Sequence, residues 1–425
     1  MIGSIISNVA RRVSGWVVRR IVSLRLFNPW FYTPEGQEFL CGMFERLRTA
    51  RGFSRATRAA HRRYYVTQPL FIIPWKRWQF KRRHGFWPPG FVAISPTRRC
   101  NLACPGCFSG HHQNEDMPLD TADRIVREAK AMGIYMYVLI GGEPLCWPHF
   151  FTLLERHREC TFGVYTNGTL LTEAMAARLA ALGNANLDFS VEGFEQETDA
   201  RRGAGVFARV MQSMALCRTH GVHFGYSVTV TRQNSEVVAS DEFINFMAAQ
   251  GCFVGWYYQY MPVGDAPDHA LMPTAEQRAH RRQRLAEIRR ANTITVFDFL
   301  NDGPLVGGCI CAGRYYLHIT CSGAVEPCAF YPFAVDNINE KSLADVLHSA
   351  FFQQVRARQG TTPNPLAPCP VIDHPHWLRA AVQTSAARPS QASATLLLGG
   401  LSAPLDGYAQ AYAALVETAA PGDRR

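Results

Sequence analysis

The chain reads as an α/β protein built on a partial barrel, and three observations predict it. From Phe91 to about Asn292, short apolar runs alternate with stretches of helical periodicity, the order that gives a parallel sheet covered by helices. Six strand–helix units fit in that span, too few to close an eight-unit barrel, so a partial, TIM-like (β/α)6 barrel is expected. Residues that carry chemistry fall just after the apolar runs, at the carboxyl ends of the strands, where barrels place their active sites. A helical, basic N-terminal region at 1–90 precedes the barrel at 91–300. A small α+β extension at 301–383 follows it, then an Ala/Ser/Pro-rich tail at 384–425, expected to be loosely attached with one short helix at Leu405 to Thr418.

The N-terminal region is different material from the rest. Residues 1–99 carry 19 Lys/Arg against 3 Asp/Glu, a formal +16, while the whole chain is only +10, so everything after them is net acidic. Ile5, Ile6, Val9, Val13, Trp16, Val17 and Ile21 recur at helical spacing, with Arg11, Arg12, Arg19 and Arg20 between them. No apolar stretch approaches the roughly 18 residues a bilayer demands, and the arginines make a poor signal peptide. A basic amphipathic helix lying on an anionic membrane surface fits better. A second cluster, Trp75-Lys76-Arg77-Trp78-Gln79-Phe80-Lys81-Arg82-Arg83, again has an interfacial composition. The alternatives are docking on the barrel with a solvated basic face, or an acidic partner protein. Nucleic acid is not expected.

Cys100, Cys104 and Cys107 form a C-x3-C-x2-C run directly after the first strand, Phe91 to Ile94. Thiolates hold iron–sulfur clusters, and three of them leave one iron of a four-iron cluster open to chemistry. A zinc knot, which normally takes four ligands, is the competing reading. Asp120 can cap a helix running to Met132, with Gly133 as its stop. The next apolar run, Tyr135 to Ile140, leads into Gly141-Gly142-Glu143-Pro144. Glycines let the backbone approach a ligand closely, and a carboxylate beside them can accept a hydrogen bond from a charged amine.

This pairing resembles the radical S-adenosylmethionine superfamily, which couples such a cysteine loop to a GGEP-like turn after the second strand. The resemblance implies that Cys100, Cys104 and Cys107 hold a [4Fe-4S] cluster whose open iron is chelated by S-adenosyl-L-methionine. It places Gly141, Gly142, Glu143 and Pro144 at the cofactor's methionine amine. Further fragments fall in family order. Phe162 to Gly168 reads as a third strand with a polar ending, and Leu187 to Gly193 resembles the fourth strand's S-x-D-G ending with Glu192 for Asp. Val228 to Asn234 resembles a fifth strand, and Tyr260 to Gly264 the end of a sixth. By that resemblance Ser190 and Glu192 serve the cofactor's ribose and amino acid, and Val228 and Thr229 its adenine. The family often has an aromatic just before the third cysteine, where this chain has Gly106, and Phe108 is the expected substitute. Helices are expected from Thr172 to near Gly183, Val206 to His220, Ser240 to Gln250 and Thr274 to Asn292.

After residue 300 a second thiol group appears: Cys309, Cys311, Cys321, Cys328 and Cys369. Cys309 and Cys328 bracket Gly323 as C-x13-G-x4-C, which resembles the opening of the SPASM/Twitch extension, with a hairpin at about Tyr315 to Pro327. The resemblance implies a second, auxiliary [4Fe-4S] cluster on Cys309, Cys328 and Cys369, with Cys311 as fourth ligand and Cys321 in reserve. A structural zinc site is the alternative.

At 425 residues, with 47% hydrophobic and 18% charged content, the chain suits a large folded enzyme, and thirteen cysteines in two clusters do not form a secreted disulfide framework. Oxygen-sensitive clusters and free thiols point to the cytoplasm, with peripheral attachment to the inner face of the membrane. No role is assigned to His111 and His112. The resemblance implies an enzyme that accepts an electron from a reductant such as flavodoxin or ferredoxin and cleaves S-adenosylmethionine to a 5′-deoxyadenosyl radical. That radical abstracts hydrogen from an unactivated C–H bond. The basic front favours a membrane-associated lipid substrate. Maturation of a peptide or small metabolite is the alternative, and a non-catalytic iron–sulfur scaffold or sensor the second. The motifs identify cofactor and radical, not substrate.

Overall fold

In the computed structural model, residues 33–110, 114–291, 294–359 and 364–417 are described. The amphipathic helix expected within residues 1–26, and His111 and His112, lie outside them. The core is one nine-stranded sheet in the order β7-β6-β5-β4-β3-β2-β1-β8-β9. Its strands are β1 (Phe91–Ile94), β2 (Met136–Leu139), β3 (Thr161–Thr166), β4 (Ala185–Val191), β5 (His223–Val230), β6 (Val254–Gln259), β7 (Thr295–Asp298), β8 (Tyr316–Ile319) and β9 (Val325–Glu326). Every pairing from β7 through β1 to β8 is parallel, and only β9 runs antiparallel. β7 and β8 do not pair, so the barrel stays open, as six units imply.

Local sequence sets the helices that cover this sheet. Thr172 caps Glu173–Leu182 by accepting from the Met175 N–H, and Gly183 ends it in the left-handed region. Ser240 caps Asp241–Ala249 in the same way, and Val206–His220 stops at left-handed Gly221. Leu119–Ala131 and Ala275–Ala291 complete the expected set within a residue or two at each end, although Asp120 sits in the first turn of its helix and Pro118 takes the cap position.

Two features of the sheet differ from the expectation. β7 extends the sheet beyond the sixth unit, and β8, the first arm of the expected hairpin, pairs with β1 on its open side. The hairpin and the barrel therefore share one sheet across residue 300.

The N-terminal helices close the amino end of the barrel. Pro34–Thr49 reaches β7 through a 2.8 Å bond from Arg46 Nε to Thr295 Oγ1 and an edge contact of Phe39 on Phe297. Arg55–Arg62 lies so close to Gly183 that a Cβ there would meet Ala56 at 2.3 Å. One π-turn, Arg63–Thr67, leads on towards Ile73–His84. There Arg77 is buried and donates to the Pro88 and Pro89 carbonyls at 2.6 and 2.7 Å. Among the described residues no helix is long and apolar enough to cross a membrane.

The tail departs from its expected looseness. Arg388–Pro389 pairs with Phe333–Ala334, and the helix Ser402–Glu417 packs on Ala275–Ala291 with Tyr412 wholly buried. Its alanines, which suggest a loose end by composition, allow close helix packing.

Candidate active site

The two thiol groups face one cavity of about 1150 Å3 within the barrel. Cys100, Cys104 and Cys107 line its carboxyl-end wall, and Cys309, Cys311, Cys328 and Cys369 line it from the extension. Among the described residues no three His, Cys, Asp or Glu side chains converge on the position of a single metal ion. The thiols instead surround shared space, as a cluster with irons on separate ligands needs.

The first group sits on the loop leaving β1. Burial pushes the Cys100 thiol up to about 12, opposed by the Leu102 N–H, and burial raises Cys107 against the Ser109 N–H. Those N–H groups already point at sulfur, which suits a thiolate cluster. Asn167, at the end of β3, approaches Cys100 Sγ at 3.8 Å and bonds to Asn101 Oδ1 at 2.9 Å.

The Gly141–Pro144 turn is strapped to this loop. Gly142 N donates to Thr97 O at 3.0 Å and Glu143 N to Arg99 O at 2.7 Å. Gly141 has φ +109°, and a Cβ there would meet Ser95 and Thr97 within 2.9 Å. The Glu143 carboxylate is buried on the cavity wall and accepts from Leu145 N, Thr166 Oγ1 and Asn167 N at 3.0, 2.7 and 2.7 Å. Burial raises its pKa in spite of those donors. A carboxylate accepts about four hydrogen bonds, so one direction stays free for a cavity ligand.

Other expected site residues divide by strand alternation. Ser190 and Thr229 face the cavity, and Ser190 Oγ lies 3.4 Å from Ser227 Oγ. Val228 is buried on the opposite face of β5 and does not line the cavity, nor does Pro144, which is buried at the start of a short 3-10 turn. Glu192 does not reach the cavity. Its buried carboxylate holds Arg201 and Arg202, each at 2.6 Å, and these two arginines form the wall in its place. They went unnoticed in the sequence, where an arginine pair on a helix is commonplace. Phe108 lines the cavity against Phe330. Gly106 is explained by Tyr260: at φ +65°, a Cβ on Gly106 would meet that ring at 2.6 Å. An aromatic side from the end of β6 thus takes the space.

The second group is held by donors aimed at sulfur. Tyr316 OH donates to Cys328 Sγ at 2.6 Å, Gln359 Nε2 to Cys311 Sγ at 3.0 Å and Val371 N to Cys369 Sγ at 3.4 Å. A hydrogen bond from Cys311 lowers the Cys309 pKa, with Arg314 helping. Cys369 N donates to Asp373 Oδ2 at 2.9 Å, and Asp373 forms a 2.5 Å buried ion pair with Arg278. Cys321 is elsewhere, beside Glu115 and Arg98, and does not line the cavity.

These residues fit the two groups that their spacing suggests, and comparison with known proteins agrees. Residues 94–243 match the radical SAM superfamily and residues 309–370 the SPASM iron–sulfur cluster-binding domain. The mycofactocin maturase MftC of Mycobacterium tuberculosis is 32% identical over 295 residues, 65% of this chain and 72% of the relative. The PqqA peptide cyclase of Granulibacter bethesdensis is 27% identical over 66% of this chain and 80% of its own. Among solved structures, Streptococcus suis SuiB bound to the precursor peptide SuiA superposes with a TM-score of 0.55 at 19% identity, covering 65% of this chain and 69% of SuiB. The chain therefore belongs to the radical SAM superfamily: it is an enzyme that uses a [4Fe-4S] cluster and S-adenosyl-L-methionine and carries iron–sulfur in a SPASM domain.

Proposed function

We propose that this enzyme abstracts hydrogen from an unactivated C–H bond of a peptide held between its two iron–sulfur centres. The observation that carries the reading is the single cavity lined by both thiol groups, large enough to admit a side chain beside the cofactor. Relatives named for a peptide substrate, the PqqA cyclase and SuiB with its precursor peptide, support it. Cys100, Cys104 and Cys107 would hold the cofactor's cluster, and Cys309, Cys311, Cys328 and Cys369 the auxiliary one. Gly141, Gly142 and Glu143 would receive the methionine amine, while Ser190 and Thr229 would face the rest of the cofactor. When bound and reduced, these groups supply the radical; the chain orients the target carbon and keeps water out. This reading replaces the lipid substrate that the basic front favours.

A second reading keeps a membrane in play as a docking surface. Phe71, Ile72, Trp75 and Trp78 are exposed together, with Trp75 stacked on Trp78 at 5.3 Å and Arg82 over the Trp78 ring. Aromatics flanked by cations suit the face of an anionic leaflet.

One experiment separates the two substrate classes. Anaerobically reconstituted enzyme with dithionite is given the peptide fraction or the lipid fraction of its own cells, and 5′-deoxyadenosine is quantified. Stimulation by the peptide fraction alone, with a peptide losing mass as hydrogen, is expected. Stimulation only by lipid would overturn the peptide reading.

A further inference from the structure

β4 points three side chains into the cavity in a row, Asn186, Asp188 and Ser190, ordered from the amino end of the barrel towards the cysteines. The middle one is unusual. Asp188 is 5% exposed, and among the described residues no hydrogen bond or ion pair engages its carboxylate. Burial alone pushes its pKa well above the ordinary value. An uncompensated carboxylate in such a place is costly, so a core position would ordinarily lose it.

Its neighbours are aromatic. Tyr165 is its register partner on β3 and shares a 2.6 Å hydrogen bond with Tyr258. Trp256 stands edge-on to Tyr165, with centroids 6.4 Å apart, and parallel to Tyr258 at 6.3 Å. Tyr65, from the N-terminal π-turn, lines the same cavity near enough to feel the Asp188 charge. On the other flank Gly225 contributes no side chain. A Cβ there would meet Val254 Cγ1 at 2.5 Å and Asp188 Oδ1 at 2.9 Å, so only glycine leaves room for the carboxylate on this flank, and its open side is the cavity.

Ring faces carry negative potential, and a carboxylate among them is the combination that binds a desolvated cation. We infer that the Asp188 pocket receives a cationic group of the substrate, an alkylammonium such as a lysine side chain or an amino terminus. The inference rests on the proposed peptide reading and narrows it. Asp188 precedes Ser190 by two residues, about 7 Å along the strand. A substrate with its reacting carbon at the cofactor would therefore place the cation a few bonds deeper in the barrel.

The test uses the reconstituted holoenzyme and n-butylammonium as probe, with n-butanol as its neutral counterpart, titrated by calorimetry. Butylammonium is expected to bind about tenfold or more tightly than butanol. Asp188→Asn, which keeps the shape, should abolish that preference without lowering the melting temperature, because the carboxyl group has no protein partner to lose. Trp256→Leu should weaken the preference while leaving the carboxylate in place. Equal binding of the two probes, or an ammonium preference that survives Asp188→Asn, would overturn the inference. Peptide-stimulated cofactor cleavage is read separately, so the pocket and the peptide reading can fail independently.

Discussion

Gly142 and Arg99 are in backbone contact: a Cβ built on Gly142 would lie 2.2 Å from the Arg99 carbonyl oxygen, which also accepts the Glu143 N–H at 2.7 Å. The glycine turn and the residue before Cys100 are thus one unit, so cofactor turn and cluster loop cannot move separately. Gly142→Ala should force them apart at a cost of about 1–3 kcal/mol. Weaker S-adenosylmethionine binding by equilibrium dialysis, with a lower melting temperature, is expected.

Glu143→Ala removes the acceptor for three donors, from Leu145, Thr166 and Asn167, and with it the charged partner proposed for the cofactor amine. A charge-assisted bond of this kind contributes roughly 1.5–3 kcal/mol. Cofactor affinity should therefore fall by tenfold or more while the iron content is kept. Unchanged affinity would place the amine elsewhere.

Replacing Cys100, Cys104 and Cys107 together by Ala should halve the iron of an anaerobically reconstituted chain, from about eight atoms to about four. No 5′-deoxyadenosine should form, while the absorbance of the second centre persists. Loss of all the iron would mean that the second group cannot hold a cluster alone.

Much of this site was legible because its signals are local. Caps such as Thr172 and Ser240 and the stop at Gly183 mark helix ends within a few residues, and the cysteine spacing acts within one loop. What escaped is non-local. β8 pairs with β1 across more than two hundred residues, and nothing in Tyr316–Ile319 itself names that partner. Glu192 looks like a ligand in its motif, yet Arg201 and Arg202 return from the following helix to occupy it. Gly106 looks like a missing aromatic until Tyr260 is seen in its space.

Acid should loosen the N-terminal helices through His61. Its ring pairs with His223 at 3.0 Å, with Phe53 and Tyr65 packed edge-on, and burial pushes its pKa down to about 4. The unfolded chain takes up that proton near 6.5, the folded chain only near 4. Stability is therefore intact above pH 6.5 and is lost as the pH falls towards 4. His223, itself held neutral by burial, adds in the same direction. Melting temperatures from pH 7.5 to 5 should drop less in His61→Gln than in the parent, and an identical drop would clear the pair of this role.

The tail should matter to the auxiliary centre through Arg278. This guanidinium is fully buried, paired with Asp373 at 2.5 Å and lying 3.7 Å over the Tyr412 ring of the last helix, while Asp373 accepts the Cys369 N–H. Arg278→Met leaves Asp373 buried without its partner, a change that costs about 3–5 kcal/mol. The strain falls on the loop that carries Cys369. Iron should be lost from the second centre first, leaving about four atoms per chain and an intact ability to bind S-adenosylmethionine. Pairing Arg278→Met with Asp373→Leu removes both charges, and such apolar replacements of a buried pair are often neutral or stabilising. The double variant should recover the melting temperature. Its iron content then reports whether the Asp373 bond to Cys369 N, which it also lacks, is needed to hold the cluster. Full iron in Arg278→Met alone would show that the tail braces the fold without bracing the centre.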